Sequence, residues 1–157
     1  MGKTTSYGMW KYGNTFRQAF IAVLAHQDGQ PSMPYYSLAG QSIELLLKAF
    51  LMGRGISLEE LRKNYGHSLL ELLKESRRRK LGKEVELKPY HLGVIDLLSY
   101  EYKRRRFQYY ESGMMYLPEL KFLMEVNENL ALGLEPFCRK MTQIELTSNK
   151  TLNQDDS

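Results

Sequence analysis

Residues 35–52 read YYSLAGQSIELLLKAFLM, and this stretch decides the fold. Apolar or small side chains recur at Tyr35, Leu38, Ala39, Ser42, Ile43, Leu46, Ala49 and Phe50. That is the i, i+3, i+4, i+7 spacing of one face of an α-helix. Leu45 and Leu47 widen the face, so the pattern predicts a helix with neighbours on more than one side. At a rise of 1.5 Å per residue such a helix spans ~27 Å, about the diameter of a small domain. Glu44 and Lys48 interrupt the apolar run as one i,i+4 pair, acid before base, which is the favourable order. An acid and a base in the middle of a central helix face either solvent or a polar groove. That groove, rather than the apolar face, is where function is expected.

Outward from this helix the signals stay helical. Upstream, Tyr12–Gln27 carries an apolar stripe at Phe16, Phe20, Val23 and Leu24, with Asn14 as the expected N-cap. Asp28-Gly29-Gln30-Pro31 reads as a turn, and Pro34 suits the first turn of the central helix. Downstream, Gly53-Arg54-Gly55 closes that helix. Ser57-Leu58-Glu59-Glu60 is a capping box that starts a short helix ending near Lys63, before the stop at Asn64-Tyr65-Gly66. His67 then leads SLLELLKESRRRK, with Leu69, Leu70, Leu72 and Leu73 inward. Lys83–Pro89 is expected to be a connector with a short extended segment. Tyr90–Arg106 resumes helix with Leu92, Ile95, Leu98 and Tyr102 on one face, and Gln108–Leu117 reads as a loop. Pro118–Met141 is the last long helix, which Pro136 is expected to kink or end. From Thr142 the chain is polar, and Thr147–Ser157 reads as a loose tail. The expected fold is all-α: an up-and-down bundle of four to five helices with a short extra helix. Residues 1–141 form the expected domain and residues 142–157 the polar tail.

The 157 residues suit a single domain. No uncharged apolar run approaches ~20 residues, so no membrane-spanning helix is expected. The first residues lack the apolar region of a secretory leader, which implies a cytoplasmic location. Gly2 and Ser6 fit the short M-G-x-x-x-S acylation pattern, which matches often by chance, and Met1–Ser6 reads as an untied terminus. Cys138 has no internal disulfide partner and reads as a packed thiol.

Net charge is +4 with pI near 9.1, which favours a polyanion partner. The cations cluster at Arg77, Arg78, Arg79, Lys80 and Lys83, and again at Lys103, Arg104, Arg105 and Arg106. The first cluster reads as a solvated helix end. The second runs into Phe107-Gln108-Tyr109-Tyr110, and cations interleaved with aromatics suit phosphate contact plus base stacking. The alternative is that these rings fill the bundle end and the arginines sit in water. Tyr35, Tyr36, Tyr100, Tyr102 and Tyr116 read as core or interface. His26 and His91 lack Cys or carboxylate neighbours at ligand spacing, so no metal site is expected. His91 reads as a surface or capping residue. No phosphate-cradling glycine loop or serine-nucleophile motif occurs, and no cofactor is expected.

Three features together carry a resemblance. They are the A-x3-I-E-L-L-L-K-A helix of Ala39–Ala49, the glycine-rich break after it, and Y-G-H-S-L-x-x-L-L at Tyr65–Leu73. This run resembles the central part of the HEPN family (higher eukaryotes and prokaryotes nucleotide-binding domains), over a quarter to a third of the chain. The resemblance implies an antiparallel helical bundle that dimerises. Many members are metal-independent ribonucleases of toxin–antitoxin, CRISPR or abortive-infection systems. Others are inactive partners of nucleotidyltransferases, or binding modules.

Ribonuclease members share an R-x(4–6)-H motif, which Arg62 and His67 match as R-x4-H. The resemblance implies that His67 moves a proton and that Arg62 binds phosphate oxygens, with Glu44 orienting either of them. Lys63 departs from the small polar residue that active members usually carry after the arginine. His67 can also be read as a structural cap on the helix it leads. Two expectations therefore stand. The first is a non-catalytic homodimer that binds nucleic acid, a nucleotide or a partner protein such as a nucleotidyltransferase or an antitoxin. Its nucleic-acid contacts would be Lys63, Lys103, Arg104, Arg105 and Arg106. The second is an endoribonuclease using Arg62, His67 and Glu44.

Overall fold

The apolar stretch at residues 35–52 forms a helix enclosed by every other helix of the chain. In the computed structural model, which describes residues 3–26, 33–103 and 116–155, the elements in order are α1 (Ser6–His26), α2 (Met33–Gly53), α3 (Leu58–Asn64), α4 (Leu69–Arg78), a 3-10 turn (Leu81–Lys83), α5 (Pro89–Lys103) and α6 (Leu120–Asp155). Among the described residues there is no strand, so the molecule is an all-α bundle of five helices with the short α3 added. No described helix is long and apolar enough to cross a membrane.

Fifteen of the twenty-one residues of α2 are buried, Glu44 and Lys48 among them, so α2 is the axis of the bundle and not a face of it. Pairwise contacts fix the directions of its neighbours. Ser6 Oγ donates to the Ala49 carbonyl (2.8 Å), Ser42 Oγ to the Gly13 carbonyl (2.8 Å), and the Phe20 ring packs edge-on to Tyr35 (5.0 Å). As α1 advances from residue 6 to 20, its partners on α2 step back from 49 to 35, so the two are antiparallel. Asn127 Nδ2 donates to Ser42 Oγ (2.9 Å), while Phe137 packs on Phe50 (5.2 Å), so α6 runs parallel to α2. The Trp10 indole N–H donates to the Ala131 carbonyl (2.9 Å), which ties α1 to α6.

Several local expectations shift. The first helix begins at Ser6 rather than Tyr12, because Thr5 Oγ1 accepts the Gly8 N–H (3.0 Å) and caps it, while buried Ser6 anchors on α2. Asn14 lies inside α1, where its side chain accepts from Arg17 (3.4 Å) instead of capping. Lys83–Pro89 holds the end of the 3-10 turn and no strand. Pro136 does not end α6: Leu134, Phe137 and Cys138 are buried on either side of it, and this packing outweighs one lost backbone hydrogen bond.

The polar segment from Thr142 continues α6 as helix to Asp155 instead of a loose tail. Thr142 Oγ1 accepts the Tyr7 N–H (2.9 Å), and Lys3 pairs with Glu145 (3.6 Å). The hydroxyls of Thr147, Ser148 and Thr151 donate to carbonyls four residues back, so these polar side chains follow the helix.

Two positions show how tightly the bundle is packed. Cys138 is fully buried and free, and burial pushes its thiol up to about 11. Alkylation by iodoacetamide at pH 8 should therefore be negligible in the native protein and rapid once denaturant unfolds it, as followed by mass spectrometry. Gly40 lies against α5, where an added Cβ would fall 2.5 Å from Tyr102 Cδ2. The ring is tied to Glu44 through its hydroxyl, so moving it aside would break that bond. Gly40→Ala should cost about 1–3 kcal/mol and lower the melting temperature by several degrees in a thermal scan.

Candidate functional site

Glu44 sits at mid-helix on α2 with its side chain 6% exposed, and three donors converge on its carboxylate. Lys48 Nζ, one turn on, reaches Oε1 at 2.7 Å from a side chain 8% exposed. His67 Nδ1 lies 2.9 Å from the same oxygen. The Tyr102 hydroxyl donates to Oε2 at 2.5 Å. The Glu44–Lys48 contact follows from helical spacing alone. The other two come from the α3–α4 corner and from the end of α5.

That corner is built by local sequence. Ser57 Oγ accepts the Glu60 N–H (3.1 Å) and starts α3. Gly66, at φ 53°, takes the left-handed conformation that reverses the chain after α3. Ser68 Oγ accepts the Glu71 N–H (3.4 Å) and starts α4. Ser68, not His67, is therefore the cap of α4, and the His67 ring is free to swing onto Glu44. Its side chain is 64% exposed although its carboxylate partner is buried. The carboxylate of an ion pair with Lys48 can only accept, so His67 Nδ1 carries the hydrogen. Nε2 then faces outward, and in the neutral ring it holds the available lone pair.

Above this pair lies a cavity of about 370 Å³ lined by Tyr12, Phe16, Gln41, Glu44, Leu45, His67 and Tyr102. Its size lies at the small end of ligand pockets, about 300–1,000 Å³. Tyr12 is 57% exposed and meets Phe16 edge-on at 5.1 Å. Glu44 faces this cavity from a nearly buried position, whereas Lys48, also enclosed, does not line it.

The other candidates are dispersed. Arg62 is exposed on α3 and lines a second cavity, of about 430 Å³, with Lys3, Thr4, Thr5, Gly8, Met9, Tyr12 and Leu58. It makes no hydrogen bond or ion pair with the described residues, and it does not line the His67 cavity. Lys63 is exposed on α3. Lys103 ends α5, one residue after the cavity wall Tyr102, and is itself not part of that wall. Arg104, Arg105 and Arg106 lie outside the described residues. In the first basic cluster Glu75 takes both Arg78 (2.6 Å) and Arg79 (2.6 Å), and these guanidinium groups hold its carboxyl down at about 2. Arg77, Lys80 and Lys83 remain exposed.

His91 is a cap, as expected, but not a surface one. Its side chain is 1% exposed, Nδ1 accepts the Lys88 N–H (3.0 Å) at the start of α5, and Nε2 lies 3.1 Å from Glu125 Oε1. The Tyr90 hydroxyl also reaches Glu125 (2.6 Å) and holds that carboxyl below the usual range. Among the described residues no three His, Cys, Asp or Glu side chains gather as metal ligands would. Of the tyrosines read as core, Tyr35, Tyr36 and Tyr102 are buried, while Tyr100 and Tyr116 are exposed.

The resemblance left Glu44 to orient either Arg62 or His67, and sequence reasoning missed Tyr12, Phe16, Gln41 and Tyr102 as cavity walls. Gln41 and Leu45 flank Glu44 on one helical face, and Tyr12 and Phe16 are an i,i+4 pair, so the signal existed. Apolar periodicity assigns Phe16 and Tyr102 to the core, because it does not distinguish a cavity wall from a packed face. No family model, no curated protein and no solved structure matches the chain.

Removing one member of a buried ion pair strands the other. Glu44→Gln should cost about 3–5 kcal/mol in urea denaturation, and adding Lys48→Met should recover much of that loss. If the single and double variants were equally unstable, the ion pair would not be the source of the cost.

Proposed function

We propose that this chain is a HEPN-like helical module that works as a homodimer and binds RNA or its nucleotides at the cavity over Glu44, without cutting them. The observation that carries this reading is the cavity itself. It combines an exposed tyrosine, an outward imidazole and an amide. Aromatic faces stack bases with little regard to sequence, and cations nearby contact phosphate. The resemblance at Ala39–Ala49 and Tyr65–Leu73 supports the same class. Arg62 and His67 line different cavities, which supports binding over cleavage.

One observation favours the second reading, a metal-independent endoribonuclease. The buried Glu44 carboxylate holds His67 Nδ1, which is how a carboxylate orients an imidazole for proton transfer. In that reaction His67 Nε2 takes the proton of a 2′-hydroxyl and the 2′-oxygen attacks phosphorus. The bond to the 5′-oxygen breaks, and the leaving oxygen receives a proton, giving a 2′,3′-cyclic phosphate and a 5′-hydroxyl. The arginine that stabilises the charge would come from Arg62 of a second copy.

Both readings are tested by incubating the purified protein with single-stranded RNA in excess chelator. The expected result is binding that weakens linearly with log salt, with a slope of about −0.7 per phosphate contact, and no cleavage. Cleavage to cyclic-phosphate ends that disappears in His67→Ala would move the assignment to the ribonuclease. Neither binding nor cleavage would refute both.

A further inference from the structure

The two cavities that separate His67 from Arg62 share one wall, Tyr12. The inference from this rests on the RNA-binding reading and names how the strand would lie. Tyr12 projects from α1 between the cavities with more than half of its surface exposed, and its ring is braced by Phe16 from within the same helix. On one side stand His67 and Gln41, on the other Arg62 and Lys3. An exposed aromatic ring with phosphate-binding cations on one side and hydrogen-bonding groups on the other suits a single strand, whose base face, sugar hydroxyl and phosphate are all open to contact. A duplex would hide its base faces and leave the ring without a partner.

We infer that Tyr12 is the stacking platform of a two-subsite groove for single-stranded RNA. One base lies on its ring, Arg62 meets the phosphate on one side, and on the other side the lone pair of His67 Nε2 accepts from a 2′-hydroxyl of the strand. Gln41, half-buried beside His67, faces the base edge with an amide that both donates and accepts. The charge of the Arg62 cavity fits this occupant: Arg62 is without an acidic partner among the described residues, and Lys3 meets Glu145 only at 3.6 Å from a side chain 83% exposed.

The test measures anisotropy of a labelled single-stranded RNA octamer across a salt series, for the wild type and three variants that alter exposed side chains. Tyr12→Leu should weaken binding by about tenfold or more at every salt concentration, leaving the slope unchanged, since stacking is not ionic. Tyr12→Phe should bind within about twofold of wild type. Arg62→Gln should make the log–log slope shallower by about 0.7, the loss of one phosphate contact. Melting temperatures equal to wild type would show that the variants are folded. If the wild type binds RNA and Tyr12→Leu binds it equally well, the groove is refuted while the RNA-binding reading stands. Tighter binding of duplex than of single strand would refute it in the same way. If the wild type binds no RNA, both fall together.

Discussion

The structure turns on a charge that cannot be left alone. Glu44 and Lys48 lie in the most enclosed helix of the chain, where an unpaired ion would cost several kcal/mol. Helical geometry supplies the first partner, because residues four apart on one helix face each other. A carboxylate has two oxygens, however, and Lys48 satisfies only one. Tyr102 meets the other, and His67 joins Lys48 on the first; Tyr102 and His67 lie 58 and 23 positions away in sequence. Each contact locks a different segment onto α2, so one buried carboxylate sets both the corner before α4 and the end of α5.

The remaining helices are held by small residues and by buried polar groups bonded across the helices. The Gly13 carbonyl, Ser42 and Asn127 form a buried chain of hydrogen bonds across α1, α2 and α6. Such a chain specifies register, because a shift of one residue would leave buried donors without acceptors. It holds α1 where Tyr12, next to Gly13, borders the cavity over Glu44. The position of the cavity wall is thus a consequence of core hydrogen bonding rather than of the wall residue itself.

The two described interior-facing histidines show how context divides one side chain between roles. His91 is buried, commits Nδ1 to a backbone amide and closes the start of α5. His67 is exposed, leaves the capping to Ser68 and turns its inner nitrogen to a carboxylate. Both stand at the front of a helix in the sequence, and both could have been caps. What separates them is which neighbour supplies the helix with its missing acceptor.

Periodicity alone determined that the chain is helical, that residues 35–52 form its axis and that Glu44 and Lys48 are paired, because these depend on spacing within one helix. The capping box at Ser57 and the stop at Gly66 were legible for the same reason: each is settled by a few adjacent residues. The start of α1 and the helical course of residues 142–155 were not. There Ser6 and Thr142 gain their partners from distant helices, and composition does not report such contacts. Only the tertiary structure decided that His67 turns to Glu44, that Tyr102 joins it, and that Arg62 stands beyond Tyr12 in a cavity of its own. Those are distances between segments, and they are fixed by the packing of whole helices around one buried charge.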